Sequence, residues 1–212
     1  MTVEAFSLSE QFQVPVIIRL TTRTSHSASL VDLGRFKPAA HPLIPYVKNI
    51  KKTIPVPMFA RGHRIAAEER TLAMEMAAVK SPFNRIIPGK KSLGIVTSAV
   101  AYQYVKEIFG ESVSVLKLGL VNPLPEKLIR DFAAKVKKLY VIEELDPVIE
   151  NYVRGLGIEV TGKELFSPIG EFSQQTIAAA FGLEAPASIS ADSSVPGRPP
   201  MMCAGCPHRG LF

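Results

Sequence analysis

The residues whose types and spacing best suit chemistry form one short run, Cys203-Ala204-Gly205-Cys206-Pro207-His208. A C-x-x-C spacing lets two thiolates reach one iron–sulfur cluster or one zinc ion, and Gly205 permits the tight turn between them. No other cysteine occurs in the chain of 212 residues. Two thiolates and the His208 imidazole fall short of a four-ligand site, so a metal or cluster here needs further ligands from elsewhere. Haem attachment of the cytochrome type requires histidine directly after the second cysteine, and Pro207 intervenes. A thioredoxin-like pair belongs at a strand-to-helix junction inside a domain, which this segment lacks. From spacing alone the pair is a metal or cluster site, a redox pair, or without special role.

Three polar groups compete with it. Glu143, Glu144 and Asp146 follow a predicted strand, at the end where parallel sheets place ligands. Asp146 with Pro147 behind it is also a good helix N-cap, and capping is the expectation. Thr97 and Ser98 stand between a predicted strand and a helix, where they cap the helix or face an anion; no glycine-rich fingerprint accompanies them, and capping is expected. Arg19, Thr21, Thr22, Arg23, Ser25 and His26 crowd into eight residues, as a solvated turn, an anion site or a domain interface. His41 and His63 have no evident partner. H-E-x-x-H, P-loop and G-x-S-x-G patterns do not occur, which leaves hydrolase and nucleotidase chemistry unsupported.

The elements that must position these groups follow from periodicity. Residues 3–12 read as a helix and 13–20 (QVPVIIRL) as a strand with a buried apolar run. That pair has no preceding partner strand, so the chain is expected to begin inside a domain. Between residues 25 and 57 five prolines break any period, as in a linker. Residues 64–80 form a helix whose Ile65, Leu72, Met76 and Val79 stripe is expected to pack in a core; core packing is likewise preferred for Met74 and Met76 over a soft binding groove.

From residue 91 to 183 strands alternate with amphipathic helices: strands at 92–98, 112–119, 138–144 and 157–160, helices between them, and a last helix at 170–181. Strands spaced in this way form βαβ units, with a parallel sheet and right-handed crossovers. Residues 184–200 are a Pro/Ser/Ala linker, and residues 201–212 are too few for a domain.

Composition bounds the function. The chain is 47% apolar with 21% charged residues of both signs, as in an ordinary globular domain with extra segments. No apolar run approaches the ~20 residues of a membrane span, and no secretory leader pattern opens the chain, so a soluble cytoplasmic protein is expected. The net charge of +6 invites nucleic acid, but aromatic residues do not alternate with the lysine clusters as a stacking platform requires. No nucleic-acid partner is expected.

Four segments in series resemble one family. LSEQFQVPVIIRLTTRTSHS (8–27) resembles the end of the pyrimidine-binding domain in large subunits of indolepyruvate:ferredoxin oxidoreductases. GIVTSAVAYQYVKEI, SVLKLGLVNPLPEKLI and YVIEELDPVIENYV are similar to the transketolase C-terminal-like domain of those subunits, and RPPMMCAGCPHRGLF to the opening of their diphosphate-binding domain.

The resemblance implies an α/β fold: a transketolase C-terminal-like parallel-sheet domain at 91–183, flanked by partial neighbouring thiamine-diphosphate-enzyme domains at 1–35 and 201–212, with a Pro-rich linker and helix at 36–90 and a linker at 184–200. It implies oxidative decarboxylation of an aryl 2-oxoacid with thiamine diphosphate and Mg²⁺, [4Fe–4S] clusters, coenzyme A and ferredoxin, beside a smaller second subunit. Oligomer contacts are expected through the α/β domain. In related oxidoreductases a cysteine pair at this place holds a [4Fe–4S] cluster, which points to Cys203 and Cys206 with His208 beside them; Pro207 departs from the pattern of those relatives. The metal–diphosphate Gly-Asp-Gly motif and a cysteine-rich ferredoxin-like run do not occur here. The chain is therefore expected to be an internal piece without catalysis of its own. The rival is a free-standing α/β binding or scaffold module whose terminal C-x-x-C-x-H docks a metal.

Overall fold

The computed structural model of the chain describes residues 1–30, 45–187, 194, 202 and 205–210. Its centre is a four-stranded sheet with the order β1-β3-β2-β4, made of β1 (Arg85–Ile87), β2 (Gly94–Ser98), β3 (Ser114–Leu118) and β4 (Leu139–Ile142). Strand β2 pairs in parallel with both β3 and β4, setting Ile95 beside Val115 and Tyr140, and Val96 beside Leu116 and Val141. Side chains alternate across a strand, so these two rows point to opposite faces. Each row belongs to its own core. Val96, Leu116 and Val141 pack with Ile129, Phe132, Ile149 and Val153. Ile95 and Val115 pack with Ala101, Val105, Phe109 and Ile177.

The helices follow from that split. The helix α5 (Ala101–Phe109) buries Ala101, Val105 and Phe109, one turn apart, on the second face. On the first face lie α6 (Glu126–Ala133), burying Ile129 and Phe132, and α7 (Val148–Gly155), burying Ile149 and Val153. The last helix of the unit, α8 (Gln174–Ala180), packs beside α5 on the second face, where Phe181 meets Phe109 edge-on at 5.0 Å. The result is a three-layer α/β unit, mostly parallel, as the strand–helix alternation predicts.

Several elements differ from expectation. Strand β1 pairs antiparallel with β3, Ile86 lying opposite Leu116, so the sheet also takes in residues before 91. Three residues with two exposed side chains are too short for an alternating pattern to show. The strand expected at 157–160 shrinks to one parallel bridge between Tyr140 and Thr161. The helix expected from residue 170 starts only at Gln174; Gly170 has φ 95°, and Ser173 caps the helix by accepting from the Thr176 N–H at 3.2 Å.

Outside the sheet, α1 (Thr2–Phe12) is present, but residues 13–20 form no strand, and Ile17 is 89% exposed. A strand without a neighbour leaves its backbone unpaired, and none is at hand among the described residues. A short helix, α2 (Thr22–His26), follows. Within the expected linker, α3 (Ile50–Thr53) is a helical turn capped by Asn49. The next helix, α4 (Pro57–Lys80), begins seven residues earlier than its periodicity indicates, because Pro57 in its first turn is preset for helix and needs no N–H partner. Its Ile65–Leu72–Met76 stripe is not core: those side chains are exposed, and Ala78 is the buried residue of α4. The helix lies on α6, with Ala78 buried and Phe59, His63, Arg70 and Met74 half-buried.

Candidate functional site

The carboxyl ends of β2, β3 and β4 open toward one edge, and the helices that follow β2 and β4 leave to opposite faces. This is the geometry in which α/β sheets hold ligands. Glu143 ends β4 and is buried there. Its Oε2 accepts from the Ile149 N–H and its Oε1 from the Glu150 N–H, each at 2.9 Å. Glu143 therefore caps α7, across a turn in which Leu145 takes φ 60°. The cap expected from Asp146 is not made by its side chain; the Asp146 carbonyl accepts from the Val148 N–H. The reason is reach, since a glutamate folding back from the strand end meets two free N–H groups at once.

The neighbours complete a network. Lys163 Nζ donates to the Glu143 carbonyl at 2.5 Å and lies 5.2 Å from the centre of the Phe172 ring. Glu150, also buried, accepts from the Lys163 N–H at 2.8 Å and pairs with Arg154 at 2.8 Å. A Cβ at Gly162 would overlap the Glu150 carboxylate, so glycine is what lets the chain close over it. Glu144 accepts from the Phe172 N–H at 3.3 Å.

Burial pushes the Glu143 carboxyl above the usual range, against the pull of the Ile149 and Glu150 N–H groups and of Lys163. Burial lowers the Lys163 ammonium, against the attraction of Glu143 and Glu150. These carboxylates bind α7 and the segment after it to the sheet. Their hydrogen bonds point inward, to the protein itself.

Thr97 differs from expectation as well. It is buried within β2, and its hydroxyl donates to the Ile142 carbonyl at 2.8 Å, stitching β2 to β4. It caps no helix; α5 starts from Val100 without a side-chain cap. Ser98 ends β2, half-buried. Asn84, a residue without any sequence signal, is buried and holds three backbone groups: it donates to the Ala78 carbonyl at 2.9 Å and accepts from Gly119 and Leu120 at 2.8 and 2.9 Å. It ties the end of α4 to the loop leaving β3.

In the polar cluster, Thr22–His26 turn as a helix whose hydroxyls satisfy one another, Thr21 and Thr24 at 3.0 Å, and Ser27 donating to the Thr24 carbonyl. Arg19 and His26 are exposed. His63 does have a partner, the Lys51 carbonyl at 2.5 Å, whereas His41 lies outside the described residues.

At the cysteine motif, Gly205 takes φ 80°, as its tight turn requires, and Pro207–Gly210 form a 3-10 turn. Cys206 Sγ lies 3.6 Å from His208 Nδ1. Cys203 lies outside the described residues, so the pair as such is not seen. Among the described residues no three His, Cys, Asp or Glu side chains converge as a metal site. One cysteine and one histidine do not by themselves fit the ligand demand of a [4Fe–4S] cluster. No helix among the described residues is long and apolar enough to cross a membrane.

No protein-family profile matches the chain. Individual relatives do, and they are oxidoreductase subunits. Indolepyruvate oxidoreductase subunit IorA of Methanothermobacter marburgensis is 34% identical over 98% of this chain and 36% of its own length. The subunit of the same name from Thermococcus kodakarensis is 34% identical over 100% of the chain and 37% of its own length, and that of Archaeoglobus fulgidus is 33% identical. Among solved structures, the chain is similar to a 2-oxoglutarate:ferredoxin oxidoreductase from Magnetococcus marinus, with a TM-score of 0.47 and 18% identity over 60% of this chain and 23% of that one. The chain is similar to indolepyruvate oxidoreductase IorA subunits along nearly all of its own length. It spans about 36% of the length of the curated relatives it matches.

Proposed function

We propose that the chain supplies the transketolase C-terminal-like part of an enzyme that oxidatively decarboxylates aryl 2-oxoacids of the indolepyruvate kind. The observation that carries this is the 34% identity running through 98% of the chain to a subunit of that name. The activity would give an aryl-acetyl-CoA, with ferredoxin as electron acceptor and a smaller second subunit beside this one. Thiamine diphosphate with Mg²⁺ would stabilise the carbanion left by decarboxylation, and [4Fe–4S] clusters would carry electrons away singly. The role of the chain in that enzyme is structural: Glu143, Glu150 and Lys163 keep α7 and the strand ends of the α/β unit rigid against its neighbours. The same reading assigns 1–35 and 201–212 to the edges of the pyrimidine- and diphosphate-binding domains and the sheet domain to 91–183.

A chimera tests it. The aligned third of the M. marburgensis subunit is replaced by this chain and produced with its smaller subunit. Indolepyruvate-dependent ferredoxin reduction is expected to persist. A chimera that assembles with its full iron content but turns over no arylpyruvate would refute the assignment.

Cys203 and Cys206, with His208 next to them, are proposed as ligands whose partners come from outside the described residues. The closeness of Cys206 to His208 also favours a second reading, a terminal docking point for zinc. Iron, sulfide and zinc content of the chimera and of its Cys203→Ser and Cys206→Ser variants separates the two. Loss of iron and sulfide supports the cluster, and loss of zinc alone supports docking.

A further inference from the structure

We draw no further inference here: the strongest candidate, the exposed apolar face of α4 around Met58, Ile65, Leu72 and Met76, carries none, because nothing in the structure shows what covers it.

Discussion

Glu143 shows how much a single side chain does in this chain. Its carboxylate meets the N–H groups of Ile149 and Glu150, and no other side chain caps α7. Truncation to alanine leaves two buried donors without an acceptor, and Glu143→Ala is expected to lower unfolding stability by about 2–3 kcal/mol. Urea unfolding at neutral pH measures this; a loss below about 0.5 kcal/mol would show that water replaces the cap. The pH dependence has a definite sign. Burial raises the folded pKa of Glu143 above its unfolded value, so the folded state holds its proton more tightly. The associated stability is present in full below the unfolded pKa and is lost as pH rises through the folded one. Glu143→Gln should therefore flatten the fall in stability on the alkaline side of the ordinary glutamate range. Equal slopes in the two proteins would place the coupling elsewhere. Gly162 depends on the same site: Gly162→Ala drives a methyl into the Glu150 carboxylate and should cost about 1–3 kcal/mol, read as a lower melting temperature.

At the scale of elements, the α/β unit is held by two cores on a shared sheet and α4 by few contacts. Asn84 is the junction. Asn84→Ala removes three hydrogen bonds between α4 and the loop after β3. Stability should fall by about 2–4 kcal/mol, and amide exchange should quicken at Gly119 and Leu120 before it does in β2. Uniform quickening throughout the sheet would mean that α4 and the sheet open as one unit. The central elements were legible in the sequence because each strand is a short apolar run and each helix has a clear buried stripe, as with Ala101, Val105 and Phe109. The same periodicity misled at α4, where Ile65, Leu72 and Met76 fall on one side of the helix yet stay exposed. A stripe records that a face wants cover, and says nothing about which molecule covers it. Residues 13–20 make the same point: an apolar run is a strand only where another strand accepts its backbone.

For the whole molecule, the expected behaviour follows from the proposed function, in which a stretch of this length is about 36% of the relatives' subunit. Purified alone and reconstituted anaerobically with thiamine diphosphate, Mg²⁺, iron and sulfide, it should reduce no viologen dye with arylpyruvate and coenzyme A. Measurable turnover would overturn the proposal that catalysis requires further parts of the enzyme. By itself the sequence carried the resemblance, through segments matching in order, and determined the α/β class, through alternating periods of two kinds. Both are written in local residue patterns. Only the tertiary structure decided what the polar residues do. Glu143 rather than Asp146 caps α7, and Thr97 bonds across the sheet to Ile142 rather than to the next helix. Those choices depend on which backbone groups of distant segments remain unpaired once strands and helices pack. The C-x-x-C-x-H run with which the chemistry began keeps its turn at Gly205 and brings Cys206 near His208. Spacing determines that much, while a complete ligand set needs side chains from several segments, because four ligands must converge in space.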